Sequence, residues 1–257
     1  MFKRVLKILP AFCLATSVAS AQSAFMGAWK LDPLKSRLPD EMKVQSKGGN
    51  TYTFDFGGGP ETIVADGSDQ PGVDDTLLSV QTAGADTWIV ERKKGGRLWI
   101  NATWKLSNHA STLTDNFRQF EPDGSTVSMS MDYIYRRVGN GSGFAADWQS
   151  TKETMNSPFV LEVKAFQGDG LSFVSPFGTT NATFEDKDQP HEAPDAGQRS
   201  SKSIRRVDDR TLMVTIKRGG KEAATEDIVL SPDLTTLTMT VHVVGRDRPN
   251  VLVFERK

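Results

Sequence analysis

The chain has 257 residues, a formal net charge of -1 at pH 7 and a single cysteine, Cys13. Its 31 Lys and Arg residues are balanced by 32 Asp and Glu residues, so no excess of positive charge points to nucleic acid as a partner. One cysteine excludes an intramolecular disulfide and any metal site built from several thiolates. The length allows one large domain or two ordinary ones.

The first 21 residues predict a secretory signal peptide. The stretch 3–7 is basic, the stretch 8–18 is mostly apolar, and the small residues Ala19-Ser20-Ala21 form a cleavage site. The apolar stretch is shorter than the roughly 20 residues that span a bilayer. We therefore expect a periplasmic or secreted protein whose mature chain has no transmembrane segment and no cysteine.

Four blocks of the sequence occur twice, in the same order, which predicts a tandem duplication. With their second copies they are 66–71 and 185–190, 87–97 and 211–221, 106–114 and 230–238, and 135–137 and 254–256, in an alignment that also places Trp29 on Trp148. The expected organisation is a signal peptide over 1–21, a first domain over 22–139, a Gly-rich linker over 140–143 and a second domain over 144–257.

Within each half, apolar residues recur at every second position, which is the period of a β-strand. Val127, Met129, Met131, Tyr133 and Tyr135 share one face of a strand in this way. The Lys94-Gly95-Gly96-Arg97 segment predicts the tight turn of a hairpin over 86–106. Further strands are expected at 51–56, 61–65, 76–81, 159–165, 170–174, 179–184 and 237–243.

About eight strands in each half favour an all-β chain made of two tandem antiparallel up-and-down β-barrels, with a sandwich as the alternative. At that strand number the interior of a barrel is either filled by side chains or just large enough for one small ligand.

The first strand and the end of the first half resemble the lipocalin pattern. In that pattern a glycine stands two residues before a tryptophan in the first strand, here Gly27-Ala28-Trp29. An arginine at the end of the last strand, here Arg137, packs across the tryptophan at the closed end of the barrel. The string Trp29-Lys30-Leu31-Asp32-Pro33 is similar to exported bacterial lipocalin-like proteins whose function is unknown. The resemblance implies a cation–π contact that closes each barrel, Trp29 with Arg137 and Trp148 with Arg256. In the second half Ala146 replaces the glycine.

Aromatic, thioether and polar side chains in the first half are candidates for a ligand site. They are Trp88, Trp104, Asp115, Phe117, Gln119, Met129, Met131 and Tyr133. Inward-facing positions of neighbouring strands would bring them together, and Met adapts to irregular apolar ligands. An ordinary filled core would use the same residues. On composition, the first half looks more like a pocket and the second more like a packed barrel.

Motifs for catalysis, phosphate binding or metal binding are missing from the sequence. The acidic turn 66–69 could offer oxygen ligands to Ca²⁺ but lacks the ligand spacing of an EF-hand, so we predict no metal and no cofactor. The favoured function is binding of a small apolar or amphipathic molecule, with the first barrel as the likelier site. The alternatives are an envelope protein that binds a partner through its outer face, and an enzyme that uses Asp115 and His109 at a barrel mouth.

Overall fold

In a computed structural model, the chain is described over residues 24–257 except 58, 74, 108, 169, 177, 185–188 and 192–199, with only the backbone at 189–191 and 200. The predicted signal peptide lies outside the described residues. The rest is all-β, as predicted: twenty strands form two nearly closed antiparallel sheets of ten strands each. No helix in these described ranges has the length and apolar character needed to cross a membrane.

The strands of the first half of the chain are β1 (Gly27–Leu31), β2 (Glu41–Gly48), β3 (Thr51–Asp55), β4 (Pro60–Val64), β5 (Gln70–Pro71), β6 (Thr76–Thr82), β7 (Thr87–Lys94), β8 (Arg97–Leu106), β9 (Thr112–Phe120) and β10 (Val127–Ser142). Those of the second half are β11 (Ala145–Met155), β12 (Val160–Phe166), β13 (Gly170–Ser175), β14 (Gly178–Ala182), β15 (Gln189–His191), β16 (Ser200–Asp208), β17 (Thr211–Arg218), β18 (Lys221–Leu230), β19 (Thr236–Val243) and β20 (Asn250–Arg256). The predicted hairpin over 86–106 is the β7–β8 pair.

The two sheets share one strand order, except that each contains the opening strand of the other half. The first sheet runs β4-β3-β2-β11-β10-β9-β8-β7-β6-β5, and the second runs β14-β13-β12-β1-β20-β19-β18-β17-β16-β15. At nine of the ten positions, the strand of the second sheet is numbered ten higher than the strand of the first. At the remaining position the first sheet has β11 and the second has β1. The strand that carries Trp29 therefore lies between β12 and β20, and the strand that carries Trp148 lies between β2 and β10.

This exchange corrects the expected division into contiguous halves with a linker over 140–143. Strand β10 continues to Ser142, which pairs with Ala145 across a tight turn in which Gly143 has a φ of +55°. Two strands joined by so short a turn pair with each other. Strand β11 consequently stays in the first sheet, and β1 takes the equivalent position in the second.

Each sheet surrounds an apolar core built from the alternating faces of its strands. One cluster of buried residues includes Phe54, Trp88 and Trp148, all from the first sheet. The other includes Trp29 and Phe254 from the second sheet but also Met131 of β10, which belongs to the first. The second core therefore extends to one end of the β10–β11 pair.

Side chains connect the two edges of the first sheet. The amide of Gln70, in β5, donates to the Val64 carbonyl at 2.7 Å and accepts from the Val64 N–H at 2.8 Å, so it replaces a ladder bond between β5 and β4. Inside the sheet, Arg92 of β7 forms an ion pair with Glu61 of β4 and also donates to the Thr76 hydroxyl at 2.7 Å. Edges paired in this way are not open to another strand.

Candidate ligand-binding cavities

Each of the two tryptophans predicted to close a barrel does contact an arginine, but the partners are exchanged between the two pairs. The guanidinium carbon of Arg256 lies 4.0 Å from the ring centroid of Trp29, and that of Arg137 lies 5.8 Å from the ring centroid of Trp148. The expected pairs, Trp29 with Arg137 and Trp148 with Arg256, are thus wrong. The reason is the strand exchange, which makes Trp29 the register partner of Arg256 and Trp148 that of Arg137.

The surroundings of the two tryptophans match. The Trp29 indole donates to the Phe25 carbonyl at 2.9 Å, and the Trp148 indole donates to the Phe144 carbonyl at 3.0 Å. Both indoles are almost completely buried. The two indole N–H groups are therefore satisfied by the backbone, whereas Arg137 Nε, beside Trp148, has no hydrogen-bond partner among the described residues.

The described residues enclose a smaller cavity and a larger one, of about 610 Å³, which is lined mainly by the second sheet. Its apolar wall from that sheet consists of Leu161, Phe173, Ile204, Val214, Ile228, Met239, Leu252 and Phe254. The residues that the first sheet contributes include Trp99, Gln119 and Met129. The cavity therefore lies where the two sheets meet, and not within the first barrel, where composition had indicated the larger space.

Five charged residues line this larger cavity: Lys94, Arg97 and Glu121 from the first half of the chain, and Lys202 and Glu226 from the second. Glu226 is buried on β18, and burial raises its pKa while the positive charge of Lys202 opposes that rise. Lys202 also donates to the Thr180 hydroxyl at 3.4 Å. Charged groups beside the apolar part of the wall can orient a ligand that has one polar end.

The smaller cavity, of about 250 Å³, lies inside the first sheet. Aromatic and aliphatic side chains form most of its wall, including Phe56, Leu78, Ile100 and Phe117. Met129 lines both cavities, which are therefore neighbours with this one side chain between them.

Asp115 is a buried acid of the smaller cavity. Strand β9 places its carboxyl on the inward face, where only 5% of the residue is exposed. Burial raises its pKa to about 8, the charges of Asp40 and Asp132 act in the same direction, and the nearby indole of Trp104 opposes them. The indole and the carboxyl do not meet in hydrogen-bond geometry, and Trp104 Nε1 and Asp115 Oδ1 each lack a hydrogen-bond partner among the described residues.

A loop of the second sheet contacts the wall of the smaller cavity. Arg246, between β19 and β20, donates to Asp40 Oδ1 at 3.1 Å and to the Phe56 carbonyl at 3.0 Å. The Tyr135 hydroxyl donates to the other oxygen of Asp40 at 2.9 Å. Burial raises the pKa of Asp40, although Arg246 and Tyr135 oppose the rise. These contacts attach one sheet to the other at the cavity.

The candidate residues from the sequence fall into three groups. Trp104, Asp115, Phe117, Met129 and Tyr133 line the smaller cavity. Gln119 and, again, Met129 line the larger one. Trp88 and Met131 are core residues: the Trp88 ring stacks on Phe144 with centroids 4.0 Å apart, and Met131 is 1% exposed in the core of the second sheet.

Sequence reasoning missed Asp40, Lys202, Glu226 and Arg246. Glu226 did leave a signal, because it falls on the apolar phase of β18 with Ala224 and Ile228. Asp40 and Arg246 left none, since they lie in loops and meet only through the tertiary fold.

His109, His242 and the acidic turn lie apart from both cavities. His109 is exposed, and His242 faces Asp227 at 4.0 Å on the outside of the second sheet, whereas the side chain of His191 lies outside the described part of the chain. In the acidic turn, Asp66 accepts from Ser68 and Asp69 pairs with Lys93. Within the described residues, no group of three His, Cys, Asp or Glu side chains is placed to hold a metal ion.

Comparison with known proteins gives little. No family model matches the sequence, and no curated protein matches it. Among solved structures, a Bacteroides fragilis protein provisionally described as an outer membrane protein aligns with 93% of this chain and 99% of its own length, with 10% identity and a TM-score of 0.16. A TM-score this low supports no conclusion about the present chain.

Proposed function

We propose that this protein binds a small amphipathic molecule in the larger cavity, where the sheets meet. The volume of about 610 Å³ carries the proposal, because ligand pockets commonly measure about 300–1,000 Å³ and combine apolar walls with a few polar groups. The apolar part of the ligand lies against Leu161, Phe173 and Met239. Its polar end faces Glu226 and Lys202.

A fluorescent fatty acid, 11-(dansylamino)undecanoic acid, tests this proposal. Its dansyl emission should rise and shift to the blue on addition of the purified protein, because the probe leaves water for an apolar wall. Met239→Trp should abolish the change, since the larger side chain occupies part of the cavity. Ile100→Trp is the matched control: Ile100 lines only the smaller cavity, so this variant should keep the response. Equal responses from both variants would refute the proposal.

The proposed setting is the periplasm or the exterior of the cell, after removal of residues 1–21. The basic start, apolar stretch and Ala19-Ser20-Ala21 site support it. Intact mass measurement of protein recovered from the periplasm and the medium tests it: a chain beginning at Gln22 is expected, and a full-length chain retained in the cytoplasm would contradict it.

The chain is also proposed to be a duplicated lipocalin-like protein. Two observations support this proposal. The strand orders of the two sheets correspond, and each sheet contains one arginine stacked on one tryptophan, Arg137 on Trp148 and Arg256 on Trp29. A structure-based alignment of the two sheets tests the idea, since a common origin requires the repeated blocks to superpose in register.

A further inference from the structure

We propose that the smaller cavity is a second binding site, which takes a small neutral molecule with a carbonyl oxygen and holds that oxygen between the Asp115 carboxyl and the Trp104 indole N–H. This site is independent of the larger cavity and differs from it in ligand size and in the polar group required.

The geometry rests on two buried polar atoms that have no partner among the described residues. Asp115 is 5% exposed and Trp104 is 2% exposed, both line the cavity, and they are register partners on β9 and β8. Buried polar atoms are nearly always hydrogen-bonded, because each one left unpaired costs about 1–3 kcal/mol. Neither atom is accessible to a water molecule in this structure, so the two side chains must shift slightly for a ligand oxygen to accept from both and satisfy them together.

The protonation state of Asp115 makes it a donor. With a pKa of about 8, most of the carboxyl carries its proton at pH 7, and a protonated carboxyl donates one hydrogen bond. The indole N–H is donor only. The complementary ligand group is therefore an acceptor without a proton of its own, such as a ketone or aldehyde oxygen.

The other polar groups of the cavity are already engaged. Arg92 is paired with Glu61 and Thr76, Asp40 is bound by Arg246 and Tyr135, and the Tyr133 hydroxyl donates to the Met131 sulfur at 3.3 Å. Because the cationic groups are paired, a charged ligand gains little here. The volume of about 250 Å³ exceeds the engineered cavity of about 150 Å³ that holds benzene, so a single substituted ring fits.

Acetophenone and ethylbenzene form the test pair, since they have similar shapes and only the first has a carbonyl oxygen. Their dissociation constants are measured by ligand-observed NMR on the full mature chain, with acetophenone labelled at the carbonyl carbon. We expect wild-type protein to bind acetophenone more tightly than ethylbenzene. Asp115→Leu should weaken acetophenone binding about tenfold and move its carbonyl resonance upfield, while ethylbenzene binding stays equal or improves.

Three further variants keep the test decisive if Asp115→Leu does not fold. Asp115→Asn retains an N–H donor and should bind acetophenone within about threefold of wild type. Trp104→Phe removes the second donor and should weaken acetophenone binding about fivefold. Glu226→Gln changes a residue of the larger cavity and should leave the affinity for acetophenone unchanged. Equal affinity for the two probes in wild type, or no binding of acetophenone, would overturn the proposal.

A pH series separates donation by Asp115 from shape alone. Acetophenone affinity should fall as pH rises from 6 to 9, because Asp115 loses its proton near pH 8, and it should not fall in Asp115→Asn. The charged or titratable groups around Asp115 are Asp40, Arg92, Tyr133 and Tyr135 in the cavity wall, with Asp132 and Arg246 beside them. Burial raises the pKa of both tyrosines, so they keep their protons in this range.

Competition distinguishes this site from the larger one. The dansyl fatty acid should not displace acetophenone, and displacement would place both probes in one cavity and refute a second site. If the fatty acid fails to bind while acetophenone binds as described, the function proposed above fails and the carbonyl site stands.

Discussion

The guanidinium group of Arg256 stacks on the indole of Trp29, so residues from opposite ends of the described chain close one sheet. Arg256 also donates to the carbonyls of Ala24, Met26 and Leu234 at 2.6–2.9 Å. The contact joins strand β1, from the first half of the chain, to the last strand of the second. It follows directly from the exchange of β1 and β11.

Energetic coupling should therefore be found between Trp29 and Arg256. In a double-mutant cycle with Trp29→Leu and Arg256→Gln, urea unfolding should give a coupling energy of about 0.5–2 kcal/mol, the range of a cation–π contact. The same cycle with Arg137→Gln in place of Arg256→Gln should be additive, because Arg137 stacks on Trp148. Coupling only to Arg137 would show that β1 closes the first sheet.

An engineered disulfide should report the strand exchange directly. Lys30 and Glu255 are register partners on β1 and β20, so Lys30→Cys with Glu255→Cys, in a Cys13→Ser background, should cross-link under mild oxidation. The matched control is Lys30→Cys with Arg136→Cys, because Arg136 aligns with Glu255 between the halves but pairs with Gln149 on β11. Mass spectrometry of the oxidised proteins should find the bond only in the first variant, and a bond only in the second would contradict the exchange.

The free energy of unfolding should fall as pH rises between about 4 and about 8, in part because of Asp115. The pKa of this carboxyl is raised from 3.8 to about 8 in the folded protein. Below pH 4 it is protonated in both states, and within the window only the unfolded chain loses the proton. The folded protein then binds more protons than the unfolded chain, so the free energy of unfolding decreases by up to about 1.4 kcal/mol for each unit by which the pH rises.

Asp115→Asn should flatten that slope, as measured by urea unfolding at pH 5, 6.5 and 8. Some slope should remain, since burial also raises the pKa values of Asp40 and Glu226. Asp123→Asn is the control: hydrogen bonds from Ser125 lower the pKa of Asp123, so its stabilising contribution is lost only as pH falls below about 4. An unchanged slope in Asp115→Asn would contradict a raised pKa.

Breaking the buried ion pair of Glu61 and Arg92 should lower the free energy of unfolding strongly, whereas replacing both residues with apolar ones should lower it little. Arg92→Met should lower the free energy of unfolding by about 3–5 kcal/mol, because it leaves the Glu61 carboxylate buried without its partner. Adding Glu61→Leu should restore most of that loss, since an apolar pair of similar volume needs no compensating charge.

The neighbouring residue offers the matched control for that pair. Lys93 binds Asp69 at 2.9 Å on the outer face of the same strand, where both side chains are about one-third exposed. Lys93→Met should therefore cost less than about 1 kcal/mol. Urea unfolding that gave similar losses for Arg92→Met and Lys93→Met would contradict the distinction between the inner and outer faces.

Local pattern accounts for most of the secondary structure. The β7–β8 hairpin follows from period-two alternation and a Gly-Gly turn, and the observed strands Thr51–Asp55 and Thr236–Val243 lie within two residues of the predicted ones. These properties depend on residues close in sequence, so they can be read without the fold. The inward position of Asp115 also followed from alternation.

The candidate sites were only partly accessible from the sequence. Alternation identified five residues of the smaller cavity, but it cannot distinguish a cavity wall from a filled core, because both use the same apolar face. That is why Trp88 and Met131 were grouped with cavity residues although both belong to cores. The larger cavity forms between the sheets, so no single strand indicates it.

By itself, the sequence determined that the protein is an all-β chain, and its resemblance to lipocalins implied that a tryptophan and an arginine meet in each barrel. Only the tertiary structure decided which tryptophan meets which arginine. Strands β1 and β11 have the same pattern and could occupy the same position in either sheet, so periodicity cannot choose between them. The tight turn at Gly143 keeps β11 beside β10, and β1 is left to pair with β20.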